Sequence, residues 1–174
     1  MHPQLVECDR TRGPAILAIL NEAIERSTAL YDYRPRTTAM MEAWFDDKEQ
    51  NHYPVIGAVD DQNRLLGFAS YGPFRSRPAY KYTIEHSVYV ERSCRGQGVG
   101  TLLLAAIIER AKQQQYHNVI GGIDAENTVS IALHKRFGFE LCGRVRQAGF
   151  KFGRWLDLDF YQLILETPAH PVDG

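Results

Sequence analysis

The sequence has little cysteine, no long apolar run and no excess of charge of either sign. Its three cysteines, Cys8, Cys94 and Cys142, are far apart and form no C-x-x-C pair, which argues against a zinc or dithiol redox site and favours a reducing compartment. No stretch reaches the roughly 18 apolar residues of a membrane span, and the first residues lack the apolar core of a signal peptide. These absences predict a cytoplasmic protein with no membrane partner.

The charge balance also limits the class of ligand. Lysine and arginine total 20, aspartate and glutamate total 21, and the basic residues are scattered along the chain. No extended positive face is available to displace counterions from nucleic acid, so the sequence predicts small-molecule partners and no nucleic acid. The histidines show no metal-ligand spacing, so we predict no metal.

Length and periodicity predict one α/β domain spanning residues 1–174. A chain of 174 residues with 44% hydrophobic content can bury one core but is short for two. Apolar spacing and turn signals predict an early hairpin, one strand-helix-strand crossover and two antiparallel C-terminal strands, which together make a mixed sheet. The predicted strands are 5–8, 53–59, 65–71, 82–90, 119–123, 140–146 and 155–165, and the predicted helices are 11–27, 38–51, 99–115 and 128–136.

The segment RGQGVG, residues 95–100, joins a predicted strand to a predicted helix and has two interpretations. It is either a phosphate-binding loop at a helix N-terminus or an ordinary tight turn that the glycines permit. It lacks the lysine of the nucleotide-triphosphate loop and both the spacing and the downstream acid of the dinucleotide fingerprint. The remaining pattern is R-x-x-G-x-G.

That pattern, with the later stretch NTVSIALHKRFGF, resembles the acetyl-coenzyme A signature of the GNAT superfamily of N-acetyltransferases. The blocks GPFRSRPAYKYTIEHSVYV, LHKRFGF and KFGRWLDL are similar to the branch that acetylates phosphinothricin, methionine sulfone and methionine sulfoximine. The resemblance implies a single, mostly antiparallel twisted sheet of about seven strands flanked by helices. It also implies acetyl-CoA as cosubstrate, direct transfer to the α-amine of an amino-acid analogue, and a homodimer.

The resemblance further implies a set of cofactor-binding residues. The glycine loop would wrap the pyrophosphate, the end of the preceding strand would offer its backbone to the pantetheine and acetyl group, and Asn127 would contact the cofactor arm. Asn127 could equally be a plain helix cap. The cofactor set is Val88, Tyr89, Val90, Arg95, Gly96, Gln97, Gly98, Val99, Gly100, Thr101 and Asn127.

Two residues are predicted to be catalytic, because acetyl transfer to an amine needs a proton acceptor and a donor to the leaving thiolate. Glu85 lies on the strand that leads into the glycine loop; strand alternation puts it on one face with Ser87 and puts His86 on the other. His134 occupies the position where many superfamily members carry a tyrosine general acid. Glu85 could instead form a structural ion pair, and His134 could simply pack its helix.

The substrate-binding prediction centres on the loop GPFRSRPAY. An anionic acceptor needs cationic donors there, so one of Arg75 and Arg77 is favoured. Phe74 stands where methionine sulfone relatives carry a tryptophan, which weakens any transfer of their specificity. Tyr31 and Tyr33 could line the pocket, or they could be surface or dimer-contact aromatics in the loop STALYDYRP. The predicted set is Arg75, Ser76, Arg77, Glu85, His86 and Ser87.

Three functional hypotheses remain open. The first is acetylation of a small amino-acid analogue. The second keeps the fold but changes the acceptor to a polyamine, an aminoglycoside or a protein N-terminus. The third is a coenzyme A sensing module without turnover. A ping-pong mechanism through Cys94 is rejected because no activating base is near it in the sequence.

Overall fold

The computed structural model describes residues 3–173, and within them seven strands and four helices follow the predicted order. Met1, His2 and Gly174 lie outside the described residues. The elements are β1 Gln4–Glu7, α1 Gly13–Arg26, α2 Thr38–Gln50, β2 Val55–Val59, β3 Leu65–Pro73, β4 Thr83–Val90, α3 Val99–Gln113, β5 Asn118–Asp124, α4 Thr128–Arg136, β6 Glu140–Lys151 and β7 Arg154–Ile164.

All seven strands form one sheet in the order β1-β2-β3-β4-β5-β7-β6. Neighbouring strands are antiparallel except β4 and β5, which are joined by the crossover helix α3. The prediction of a mixed, mostly antiparallel sheet with one strand-helix-strand crossover is confirmed. A crossover places α3 on one face of the sheet, with its N-terminus at the end of β4.

Two cores cover the two faces of the sheet. On one face, Leu103, Leu104 and Ile107 of α3 pack among buried side chains of the central strands. On the other face, α1 buries Ile16 and Leu20 at the helical spacing expected for an amphipathic helix. Among residues 3–173, no helix is long and apolar enough to cross a membrane. The central strands are therefore covered on both sides, and polar residues on them lie in a largely apolar environment.

Strand β6 is longer than the sequence predicts. The prediction ended it at residue 146, but it continues to Lys151 and turns directly into β7. Its pairing with β7 shifts register between Leu141 and Gly143 and again between Val145 and Gly149. These irregularities interrupt the two-residue alternation on which strand prediction depends, so the second half of the strand carried no clear signal.

Candidate active site

Strands β4 and β5 part in the middle of the sheet. Their pairing ends at Glu85 and Ile120, although β4 continues to Val90 and β5 to Asp124. A cavity of about 430 Å³ occupies this gap and is lined by both strands, by residues 28–31 and by α4. The gap leaves one edge of residues 87–90 without a strand partner, so their outward backbone groups can bind a ligand.

The glycine loop ends at the N-terminus of α3. Gly96 and Gly98 have φ values of +76° and +85°, the left-handed region that favours glycine. Gly98 is the residue before the helix, so no side chain caps the first turn of α3. The first N–H groups of α3 therefore lack a side-chain acceptor, and together with the helix dipole they suit an anion such as the pyrophosphate of acetyl-CoA.

Three predicted cofactor residues already have protein partners. Gln97 donates from Nε2 to the Ser93 carbonyl at 2.8 Å. Arg95 donates from Nη2 to Glu22 Oε2 at 2.5 Å and from Nε to the Val90 carbonyl at 3.1 Å. The Asn127 side chain accepts from the Ser130 N–H at 3.1 Å and caps α4, as the plainer interpretation expected. Arg95 uses only part of its donor set, and Asn127 also lines the cavity.

Glu85 lies at the point where the two strands part. Its carboxyl turns toward β5, where Oε1 is 3.0 Å from the position that a Cβ on Gly122 would occupy. Burial raises the pKa of Glu85 above that of an ordinary carboxyl, and the charge of Arg75 opposes the shift. A raised pKa brings a carboxylate closer to the proton affinity that a general base needs near neutral pH.

His86 and His134 meet on the opposite face. Their Nε2 atoms are 2.9 Å apart, and both rings pack against Phe139. His86 Nδ1 lies 2.8 Å from the Ile120 carbonyl, and His134 Nδ1 lies 2.7 Å from the Ser130 carbonyl. The alternation predicted for β4 is confirmed, because His86 lies on the face opposite Glu85.

The imidazole pair is one proton short of satisfying its contacts. A carbonyl can only accept, so both Nδ1 atoms must carry a hydrogen, and the Nε2–Nε2 contact needs a third. Burial lowers the pKa of His86 to about 3, helped by the nearby His134, and burial also lowers the pKa of His134. Two neutral rings bring only two hydrogens. The neutral pair therefore lacks one hydrogen, and the lowered pKa values show that burial opposes uptake of a third proton near neutral pH.

The predicted substrate loop lies at the edge of the cavity. Arg75 is exposed, with its guanidinium carbon 4.1 Å from the centre of the Phe74 ring and Nη1 2.8 Å from the Phe74 carbonyl oxygen. Ser76 and Arg77 are exposed on the same loop, and none of Arg75, Ser76 and Arg77 lines the cavity. Among the other predicted site residues, the cavity is lined by Glu85, His86, Ser87, Val88, Tyr89, Asn127 and His134.

The two tyrosines left open by the sequence differ in position. Tyr31 lines the cavity, whereas Tyr33 is exposed and donates from its hydroxyl to the Phe150 carbonyl at 2.7 Å. Cys94 is 2% exposed and bonds to the Glu91 carboxylate at 3.3 Å. It does not line the cavity, in keeping with the rejection of a thiol nucleophile.

Two charged residues that line the cavity were not predicted from the sequence. Lys48 of α2 is buried, donates to the Tyr71 carbonyl at 2.8 Å and lies over the Trp44 ring. Asp124 ends β5 and is also buried. Lys48 lies among acidic residues of α2, a pattern typical of an exposed helix face. Asp124 lies shortly before the Asn127 cap, where a turn residue is expected, so neither sequence context indicated a binding site.

Residues 18–139 match the family described as Acetyltransferase (GNAT) family. The chain belongs to the GNAT acetyltransferase family. The L-methionine sulfoximine/L-methionine sulfone acetyltransferase of Pseudomonas aeruginosa is 46% identical to this acetyltransferase over 153 residues, which cover 88% of this chain and 89% of that protein.

Solved structures give the same fold for this acetyltransferase. An acetyltransferase structure from Acinetobacter baylyi ADP1 is 53% identical with a TM-score of 0.98 and covers 99% of this chain and 97% of its own. A GNAT phosphinothricin acetyltransferase from Sinorhizobium meliloti, solved with acetyl-CoA, is 34% identical with a TM-score of 0.94, covering 98% and 93%. The predicted family and fold are confirmed.

Proposed function

We propose that the chain transfers an acetyl group from acetyl-CoA directly to the α-amine of a small amino-acid analogue of the methionine sulfoximine, methionine sulfone or phosphinothricin type. One observation carries the proposal: the cavity at the β4–β5 gap brings Glu85 on one face together with the imidazole pair on the other. The relatives supply the acceptor class, because their names specify these compounds. We treat residues 1–174 as one catalytic domain.

Acetyl-CoA would bind on the face of the sheet that carries α3. Residues 95–101 would hold the pyrophosphate through the first N–H groups of α3, and Val88, Tyr89 and Val90 would pair with the pantetheine along the open edge of β4. Asn127 would contact the same arm at the start of α4. Bound there, acetyl-CoA supplies an activated thioester.

Glu85 would act as the general base from the face of the sheet that carries α1 and α2, which we call the acceptor face. Its carboxyl lies beside the gap, so an amine entering from that face meets it before the thioester. The proton moves from the ammonium to the Glu85 carboxylate, directly or through one water, and the neutral amine then attacks the acetyl carbon. The burial that raises the pKa of Glu85 favours this transfer.

His134 would return a proton to the departing thiolate from the opposite face. Both of its ring nitrogens have protein partners, so delivery requires its Nε2 to exchange the contact with His86 for one with the sulfur. Because burial disfavours a charged pair, the pair would take up this third proton from the nitrogen of the tetrahedral adduct and pass it to the sulfur. Such a division would leave the base and the acid on separate faces of the sheet.

The acceptor would enter beside the Arg75 loop. The charge of Arg75 lowers the pKa of Glu85, and the same charge would attract an anionic group of the acceptor. Arg75, Ser76, Arg77 and Ser87 would contact the sulfone, sulfoximine or phosphinate end of the substrate. A cationic acceptor such as a polyamine would be repelled by these arginines.

A panel of amines tests this proposal. The protein is incubated with acetyl-CoA and each acceptor, and released coenzyme A is measured with a thiol reagent. We expect turnover with methionine sulfoximine, methionine sulfone or phosphinothricin, and at least about tenfold lower kcat/KM with spermidine, an aminoglycoside or an N-terminal peptide. Preference for one of the latter three would replace the acceptor class, and no turnover with any amine would favour a coenzyme A sensor.

We also propose a homodimer formed through the β6 edge. β6 is the last strand of the sheet, has 12 residues and is exposed along most of its length. A long apolar edge strand normally pairs or is covered. The exposed large apolar side chains on β6 and at its turn into β7 are Leu141, Val145, Phe150, Phe152 and Trp155.

Sedimentation at micromolar concentration tests the dimer. We expect a species of twice the 19.8 kDa chain mass, and a shift toward the monomer in Val145→Lys. Val172→Lys, the same change at an exposed valine outside β6, is the control and should leave the mass unchanged. A wild-type monomer would refute the proposal.

A further inference from the structure

Two buried polar atoms of the cavity wall have no hydrogen-bond partner. Asp124 is 4% exposed, and its Oδ1 accepts from the Glu126 N–H at 2.8 Å, but its Oδ2 has no partner. The Tyr31 hydroxyl is likewise buried and without a partner. Buried polar groups in folded proteins are nearly always paired, and a buried carboxylate oxygen is costly to leave alone. Both residues line the same cavity as Glu85.

Asp124 lies on the acceptor face of the sheet. Residues two apart on a strand share a face, so Asp124 points to the same side as Gly122. Glu85 reaches that side too, with Oε1 3.0 Å from the Cβ position of Gly122. Glu85 therefore reaches β5 on the same side as Asp124, and the residue between Asp124 and this contact on that side, Gly122, has no side chain.

Tyr31 is held in place by a close approach to β6. A Cβ on Gly149 would lie 2.7 Å from the Tyr31 ring, so only glycine permits this packing without a shift. Burial raises the pKa of Tyr31 to about 12, and the negative charge of Asp124 adds to the effect. The phenol stays protonated and can donate. The nearby Arg154 is paired with Glu126 at 2.7 Å.

We propose that Asp124 and Tyr31 form a binding subsite for the amino-acid end of the acceptor. Asp124 Oδ2 accepts from the α-ammonium, and the Tyr31 hydroxyl donates to the α-carboxylate. An occupant must donate to a carboxylate and accept from a phenol, and the ammonium and carboxylate of an α-amino acid do both. The cationic ammonium also neutralises the buried charge. This subsite rests on the proposed function.

The subsite gives the two carboxylates separate tasks. Asp124 holds the ammonium in the ground state, and Glu85, beside the strand gap, takes its proton and becomes a neutral carboxylic acid. The amine is then free to attack, while its α-carboxylate stays bound to Tyr31. Amines that lack the α-carboxylate lose the Tyr31 contact, which selects amino acids over simple amines.

Calorimetry with the coenzyme A-bound protein and methionine sulfone tests the subsite. We expect Asp124→Asn to raise the acceptor Kd at least about tenfold and Tyr31→Phe about threefold, with the Kd of acetyl-CoA unchanged within about twofold. Asparagine keeps the volume and the Oδ1 bond to Glu126, and phenylalanine keeps the ring packing on Gly149. Asp61→Asn, in an exposed turn, is the control. The decarboxylated analogue 3-(methylsulfonyl)propylamine should bind wild type and Tyr31→Phe equally.

Several outcomes would overturn the subsite. Unchanged acceptor binding in either folded variant would make the two groups purely structural, and weaker acetyl-CoA binding with unchanged acceptor binding would assign them to the cofactor. If Asp124→Asn does not fold, Tyr31→Phe still decides the question. A wild type that binds no amino-acid analogue would defeat the proposed function as well, whereas equal binding by wild type and variants defeats only the subsite.

Discussion

The two faces of the sheet at the β4–β5 gap carry opposite kinds of titratable group. The face toward α1 and α2 has the carboxylates of Glu85 and Asp124, and the face toward α3 and α4 has the imidazoles of His86 and His134. Adjacent residues of one strand, Glu85 and His86, belong to different faces. Strand alternation therefore separates the Glu85 carboxylate from the His86 imidazole by the thickness of the sheet.

This separation matters because burial acts on the two groups in opposite directions. Burial raises the pKa of the Glu85 carboxyl and lowers the pKa of both imidazoles, because in each case it disfavours the charged form. A carboxylate that binds protons more readily suits removal of a proton from the amine. An imidazole that releases protons more readily suits delivery of a proton to the thiolate. The strand gap joins the two faces.

The largest expected effect comes from removing the carboxylate of Glu85, the proposed base. Glu85→Gln should lower kcat by about 10²-fold or more, the usual scale of general base catalysis, while the Kd of acetyl-CoA is unchanged. The rate should recover partly at high pH, because the acceptor then arrives deprotonated. Steady-state kinetics from about pH 6 to 9, a range around the ordinary histidine pKa, measure both.

Glu25→Gln, an exposed change on α1, is the matched control for the base and should be neutral. The opposite result is equally informative. If Glu85→Gln turns over normally at every pH while His134→Ala shows the large defect, the base lies on the α3 face and the assignment of roles to the two faces is reversed.

A smaller effect is expected on the imidazole face. His134→Ala should lower kcat between about 10-fold and 10²-fold, because a thiolate leaves more readily than an amine gives up its proton and depends less on help. His86→Gln should lower kcat less and change the slope of the pH–rate profile, since one partner of the shared proton is lost. His170→Ala, an exposed histidine, serves as the control. Normal rates in both pair variants would make the pair purely structural.

Much of this arrangement could be predicted from local sequence. The two-residue alternation of β4 placed Glu85 and His86 correctly on opposite faces, and the bounds of α4 were predicted to the residue because Asn127 marks its start. The glycine loop likewise fell at the N-terminus of α3. These features depend on neighbours within a few positions, which sequence patterns record directly.

The parts that the sequence did not reveal depend on distant contacts. The Nε2 contact joins residues 48 positions apart, and nothing local to His86 indicates His134 as its partner. Asp124 and Tyr31 become noticeable only once both are known to be buried without partners. The end of β6 was missed because its register shifts disturb the alternation. Each of these depends on which strands become neighbours.

The glycine loop tests the cofactor face without touching the titratable groups. Gly98→Ala should raise the Kd of acetyl-CoA about tenfold, or 1.4 kcal/mol, because alanine disfavours the φ of +85° that opens the first turn of α3. Arg95→Ala should add to this loss. Gly143→Ala, where a Cβ meets no atom within 4 Å and φ is ordinary, should change nothing. Unchanged calorimetric affinity in folded Gly98→Ala would place the pyrophosphate elsewhere.

The smallest effect concerns stability, and it sharpens the contrast between the faces. His86 has a folded pKa of about 3, below its unfolded value near 6.5, so its neutral form stabilises the fold above pH 6.5 and that contribution is lost as pH falls toward 3. Glu85 has a raised folded pKa, so its contribution is present below the unfolded pKa and is lost as pH rises through the folded one.

His86→Gln should therefore flatten the fall in Tm between pH 6.5 and 4.5 by a few degrees, and Glu85→Gln should raise Tm at pH 7.5 by about 1 to 2 °C. Thermal unfolding across this pH range measures both, and the same pH dependence in the two variants would mean that the faces do not differ in electrostatic environment.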